Sequence, residues 1–256
     1  MRSLQRTLAT VLAAFFCLVV SHAAHASTFQ VAPGYDLFQT DASTFFAGLG
    51  NLMGVPVGSY NFGGSIGVQS TGLTDTIIQR TGDATPGSPT VQLVMDTLQL
   101  ETVAPTNFLG AGFGNYFVTL QPTSPAGGSP STGSLTVSWD GTGLAGTFSS
   151  TLDVFFDIHF GALNGPVVYS SNLVLSQSGA SWSDLPPAGA VLINGANQFL
   201  SGTPGDPTQD FLPGMFSETQ PGGDQHVVMP GTPEPSTAVL LGLGVAAIAV
   251  KRRRSK

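Results

Sequence analysis

An all-β fold is predicted, an antiparallel β-sandwich of jelly-roll type, and three observations carry the prediction. The first is strict alternation in Thr147 to Phe160, "TFSSTLDVFFDIHF", where Phe148, Leu152, Val154, Phe156, Ile158 and Phe160 share one phase. Apolar residues at period two describe a strand with one face on a core and the other toward water. The second is a neighbouring run, Ser134 to Trp139, in which Leu135, Val137 and Trp139 alternate. It is joined to the first by "DGTGLAG" (140–146), whose Asp-Gly opens a hairpin turn. The third is the regular spacing of Gly and Pro, 33 and 18 of 256 residues, between short apolar runs. Many short strands punctuated by turns read as a sandwich or barrel.

The remaining elements follow in chain order. Ile66 to Val68 is a short strand candidate. Val91, Leu93 and Met95 alternate, then the phase flips to Leu98 and Leu100, which places a bulge near Asp96. Tyr116, Val118 and Leu120 form another strand, and Val167–Tyr169, Leu173–Leu175, Val191–Ile193 and His226–Met229 add further ones. One stretch departs from this pattern. In "DASTFFAGLGNLM" (41–53), Phe45, Phe46, Leu49, Leu52 and Met53 have helical spacing behind a capping-type Asp or Ser, so a short helix is expected. The stretch 122–133, "PTSPAGGSPSTG", is a long loop.

Both ends carry export signals. Arg2 and Arg6 precede an apolar run, Leu8 to Val20, and Ala24-His25-Ala26 supplies the small-x-small pattern of signal peptidase, with cleavage before Ser27. The expected organisation is a signal peptide at 1–26 and a β-sandwich body at 27–200. A Pro/Gly/Asp-rich stalk with docked Phe211 and Phe216 follows at 201–232, and an anchor segment at 233–256. Cys17 falls in the signal peptide, so the exported body has no thiol chemistry and no disulfide.

Charge is distributed unevenly. Between Ser27 and Val250 a single cation, Arg80, faces fifteen carboxylates, a net charge near −14 against −7 for the whole chain. Such a body repels nucleic acid and anionic lipid. It has no lysine for a Schiff base or a P-loop.

Candidate chemistry is sparse. Gly63-Gly64-Ser65-Ile66-Gly67 matches G-x-S-x-G, but "VQSTGLTD" after it does not read as the required helix, so a serine hydrolase built on Ser65 is the least favoured reading. Asp153, Asp157 and His159 share the outward face of the long strand. They are the weak candidates for a metal site, against the plainer reading of a solvated sheet face. Asp206, Asp210, Glu218 and Asp224 are oxygen donors of the kind calcium takes, without an EF-hand loop. No cofactor is expected, a structural calcium being the alternative. Trp139 is in phase with Leu135 and Val137 and belongs to the core. Trp182, before "SDLPPAG", is the better candidate for stacking on a sugar.

The tail is the most specific feature. Pro233-Glu234-Pro235-Ser236 is followed by an uncharged run, Thr237 to Val250, and then by Lys251, Arg252, Arg253 and Arg254. As a helix the run spans about 21 Å at 1.5 Å per residue, short of a hydrocarbon core of about 30 Å. The basic cluster keeps that end cytoplasmic and the body outside, so a single C-terminal transmembrane helix is expected. Residues 232–256 resemble the PEP-CTERM sorting signal, a tail also found as the C-terminal domain of some ice-binding proteins. The resemblance implies a bacterium of Gram-negative type that makes exopolysaccharide. It also implies an exosortase, a membrane-embedded protease that recognises Pro233 to Pro235, removes the tail and passes the body to the cell surface. The segments "DVFFDIHFGALNGPVVYSSNL", "ANQFLSG" and "FLPGMFSE" also look like bodies of such proteins, with no activity attached. The function expected is therefore a non-enzymatic, biofilm- or exopolysaccharide-associated surface protein. The alternative is a carbohydrate- or ice-binding module, through Trp182 or a flat Thr-rich face.

Overall fold

The computed structural model describes residues 30–64, 67–122, 131–143, 145–183, 192–193, 196–197, 216–219 and 223–230. The described chain is all β. In order the strands are β1 (Gly34–Thr40), β2 (Phe45–Phe46), β3 (Gly50–Gly54), β4 (Gly58–Asn61), β5 (Val68–Gly72), β6 (Thr76–Arg80), β7 (Thr90–Thr102), β8 (Thr106–Asn107) and β9 (Phe113–Gly114). They continue with β10 (Tyr116–Leu120), β11 (Thr132–Trp139), β12 (Ala145–Phe160), β13 (Val167–Ser183), β14 (Leu192–Ile193), β15 (Ala196–Asn197), β16 (Phe216–Thr219) and β17 (Gln225–Pro230). The signal peptide and the C-terminal helix expected from the sequence lie outside the described residues, within which no helix is long and apolar enough to cross a membrane.

Eleven strands form one sheet rather than the two separate sheets of a sandwich. Its path runs β1-β6-β7-β10-β12-β13-β16-β17-β2-β3, and it closes because β3 returns to β7 and β1 pairs with β17. All of these pairings are antiparallel. Closure gives the backbone groups of β1 and β3 partners that an open edge would lack. β10 and β11 share one slot, both lying between β7 and β12 but at opposite ends of those long strands.

β12 organises the core. Its inward residues Phe148, Leu152, Val154, Phe156 and Ile158 are all 5% exposed or less. Full burial of side chains of this size is worth roughly 1.5–3 kcal/mol each. The β11–β12 hairpin forms as the alternation predicts. Asp140 makes its turn by accepting from the Thr142 hydroxyl and from the Thr142 and Gly143 N–H groups. The phase flip in β7 is a bulge at Asp96: Ile77 faces Thr97 and Ile78 faces Met95, which leaves Asp96 as the extra residue. The β4–β5 hairpin covers it, with the Tyr60 hydroxyl donating to Asp96 Oδ2 at 3.0 Å.

Two expectations are corrected. Residues 41–53 form no helix but a turn and the β2–β3 pair, because Gly48 and Gly50 adopt φ of +86° and +84° and reverse the chain between Phe46 and Leu52. Part of the expected stalk is sheet. β16 and β17 form a hairpin, with β17 paired to β1 and β2 and β16 to β13. The Pro, Gly and Asp that suggest a stalk fall largely around this hairpin, not in it, and Phe211 lies outside the described residues.

A buried ion pair ties β1 to β6. Arg80 Nη1 donates to Asp36 Oδ1 at 2.6 Å and Nε to the Ala32 carbonyl at 3.0 Å, and both side chains are almost fully inaccessible. The one cation of the exported body is therefore internal.

Candidate functional site

The residues singled out in the sequence do not converge. Asp153 accepts from Asn172 Nδ2 at 2.9 Å and Asp157 from the Ser170 hydroxyl at 2.5 Å, cross-strand pairs on the outer face of β12 and β13. Both His159 ring nitrogens are engaged, Nε2 with Thr119 Oγ1 and Nδ1 with the Gly165 carbonyl, each at 2.9 Å. The carbonyl can only accept, so Nδ1 carries the proton and Nε2 accepts from Thr119. Asp224 accepts from the Ala47 N–H at 2.7 Å, while Glu218 is buried elsewhere, and Asp206 and Asp210 lie outside the described residues. Among the described residues, no group of three or more His, Cys, Asp or Glu side chains is placed to hold a metal.

Trp182 is not a loop residue. It ends β13, is 3% exposed, meets Trp139 edge-to-face at 6.3 Å, and donates from Nε1 to the Ser138 carbonyl at 3.3 Å. The bulge opposite Ser149, where Gly179 adopts φ +71°, shifts the phase of β13. Leu173 and Leu175 point inward before it and Trp182 after it. Trp182 therefore belongs to the core and presents no face to a sugar. Ser65 lies outside the described residues. Strands β4 and β5 flank it, where a nucleophile elbow needs a helix to follow.

Two arrangements escape the sequence. The first is a buried polar chain. Asp75 accepts from the Thr40 N–H at 2.7 Å, the Thr40 hydroxyl at 2.6 Å and the Thr76 hydroxyl at 2.8 Å. Thr40 Oγ1 lies 3.1 Å from His226 Nε2, and His226 Nδ1 lies 3.6 Å from Glu218 Oε2. Hydroxyl, imidazole and carboxylate follow in the order of a nucleophilic triad. However, the Thr40 proton goes to Asp75, and all of these side chains are buried. Satisfied in this way, the chain joins β1 and β6 to the β16–β17 hairpin.

The buried carboxylates give stability a pH dependence. Burial pushes Asp36 up to about 6 in spite of Arg80, and burial raises Asp75 against the hydrogen bonds from Thr40 and Thr76 and the attraction of His226. The folded state thus binds these protons more tightly than the unfolded chain, where an aspartate titrates near 3.8. For Asp36 that stabilisation is complete below the unfolded value and is lost as pH rises through about 6; Asp75 contributes in the same direction. Thermal melts should show a higher Tm at about pH 5 than at about pH 7.5, and Asp36→Asn should flatten the slope. A wild-type Tm that falls steadily on acidification over that range would contradict this.

The second arrangement is an open cleft of about 320 Å³ at one end of the closed sheet. Its lining includes Phe46, Phe108, Leu109, Phe156, Tyr169 and Asp224. Phe46 meets Phe156 edge-to-face at 6.1 Å, and Phe108 meets Tyr169 at 5.7 Å. The rings of Phe46, Phe108 and Phe156 are 8% exposed or less, whereas Tyr169 is 40% and Leu109 69% exposed. Leu109 holds φ +50°, a conformation that costs a branched side chain roughly 1–2 kcal/mol.

Beyond Pro230 the chain enters the segment that comparison with known families identifies. Residues 231–254 match the model of the PEP-CTERM protein-sorting motif. The chain carries a PEP-CTERM sorting motif. No match was found among curated proteins or among solved structures. The PEP-CTERM motif implies export, transient membrane anchoring, processing by exosortase, a membrane protein, and placement at the cell surface or outside the cell. Pro233, Glu234, Pro235 and Lys251 to Arg254 fall inside the matched span. Like Ala24, Ala26 and Ser27, they lie outside the described residues.

Proposed function

We propose that this chain is a non-enzymatic surface or matrix protein, exosortase-processed and associated with exopolysaccharide. The observation that carries the reading is the ordered tail within the matched span: Pro233-Glu234-Pro235, a short uncharged run, and the cations Lys251 to Arg254. Signal peptidase removes residues before Ser27, and the basic cluster holds the tail's end in the cytoplasm. Two prolines keep the recognition strip extended and short of backbone donors, as a protease cleft requires.

The fold supports a cut in this place. The last paired residue of β17 is Pro230, opposite Phe38, and the matched motif starts at the next residue. A cut anywhere beyond Pro230 leaves every described strand of the closed sheet in the released body. The strip at Pro233 is also tethered within about 10 Å of the sheet, since three extended residues span no more than that.

Mass spectrometry of the mature C-terminus is the test. Wild-type protein recovered outside the cell should lack Lys251 to Arg254, and Pro233→Ala/Pro235→Ala should remain membrane-bound with the tail intact. Surface protein that keeps the tail in wild-type cells, or unchanged processing of the double variant, would overturn the reading.

A further inference from the structure

We infer that the cleft at the Phe108–Tyr169 end is a binding site for a neutral saccharide. Its volume, about 320 Å³, is at the low end of the range for ligand pockets and suits one or two sugar rings. The lining combines what an amphipathic ring needs. Half-exposed Tyr169, held edge-to-face by the buried Phe108 ring at 5.7 Å, offers aromatic surface for the C–H face of a pyranose. The Tyr169 hydroxyl has no hydrogen-bond partner among the described residues, and Ser171 and Asp224 also line the cleft.

Charge selects among ligands. Among the described residues no lysine, arginine or histidine lines the cleft, and Arg80 is buried against Asp36. Asp224 contributes a carboxylate. A second negative charge about 4 Å from it would meet a repulsion of roughly 4 kcal/mol at an effective dielectric of 20. Phosphate, sulfate and uronate groups are thus disfavoured, while hydroxyl-rich neutral rings are not.

The position suits an external ligand. β17 starts beside Asp224 at the cleft and runs toward the opposite end, where Pro230 leads into the sorting motif. Six residues at 3.3 Å separate the two by about 20 Å. β17 therefore carries the chain away from the cleft before the sorting motif begins. This inference goes beyond the sorting reading and does not depend on it, since a chain that binds no glycan can still be sorted.

The test is a glycan array bearing neutral hexose oligomers, amino-sugar oligomers and uronate or sulfated oligomers. It is probed with the full chain in detergent micelles and followed by calorimetric titration of the strongest neutral ligand. At least one neutral glycan should bind. Tyr169→Ala should weaken it about tenfold. Leu109→Trp, which fills the mouth from an exposed position, should weaken it likewise. Phe113→Ala removes a more exposed aromatic, 77% accessible and outside the lining, and should leave binding unchanged. No glycan bound, binding confined to charged glycans, or a neutral glycan indifferent to both cleft variants would overturn the assignment.

Discussion

Replacing Arg80 by methionine should cost the fold about 3–5 kcal/mol, measured by urea unfolding of the purified full chain. The residue is 1% exposed, and its guanidinium is the partner of an equally buried Asp36. Removing one member of such a pair leaves the other charge without compensation in a medium that solvates it poorly. Asp36 already titrates near 6 with Arg80 present, because burial outweighs the attraction. Without Arg80 its carboxyl moves higher still and takes up a proton on folding. The penalty should therefore be larger at about pH 8 than at about pH 5, which separates lost charge pairing from lost packing. Asp36→Leu/Arg80→Met removes both charges and should recover most of the loss, since apolar replacements of buried pairs are often neutral or better. A single-variant cost under about 1 kcal/mol, or a double variant no better than the single, would show that the pair does not hold β1 to β6.

The same residues explain why only part of this fold was legible in the sequence. β11 and β12 were legible because every inward position between Leu152 and Ile158 is apolar and the turn carries Asp-Gly. The Asp96 bulge was legible because a one-residue insertion reverses the phase of an otherwise regular strand. β1 and β6 were not, because Asp36, Thr40, Thr76 and Arg80 are buried in them and break the apolar pattern. Pairing satisfies those groups, and pairing between residues some forty apart leaves no local trace. The strand expected at His226–Met229 forms as β17, but its partner β16 was hidden, with Glu218 buried against His226 inside a segment whose composition suggests a stalk. Trp182 was misplaced because the Gly179 bulge lies between it and the alternation of Leu173 and Leu175. Of the sites, the PEP-CTERM tail was legible because it is contiguous. The cleft was not, since Phe46, Phe108, Phe156, Tyr169 and Asp224 come from five separate segments and meet only when the sheet closes.

Gly54→Ala should be the most damaging methyl group that can be added near the C-terminal hairpin. Gly54 has no left-handed backbone, so its role is space. A Cβ there would lie 1.7 Å from Asp75 Oδ2 and 2.4 Å from Asp75 Cγ. Asp75 cannot retreat, because its N–H donates to the Phe38 carbonyl and its own carbonyl accepts from the Gln99 N–H, both at 3.0 Å. The carboxylate must then swing away from the Thr40 N–H and from the hydroxyls of Thr40 and Thr76. Overpacking costs about 1–3 kcal/mol, and each buried group left unpaired adds about as much, so a loss of roughly 3–5 kcal/mol is expected. Gly50→Ala is the comparison. It meets no atom within 4 Å and strains only φ, at about 1–2 kcal/mol. The damage should also be local. Thr40 contacts His226, so amide exchange at Val227 and Val228 should accelerate in Gly54→Ala more than in Gly50→Ala. Equal losses and equal exchange in the two variants would mean that the Asp75 chain does not anchor the hairpin. A larger effect at β17 would tie the strand that leads into the sorting motif to a buried carboxylate about 150 residues earlier in the sequence.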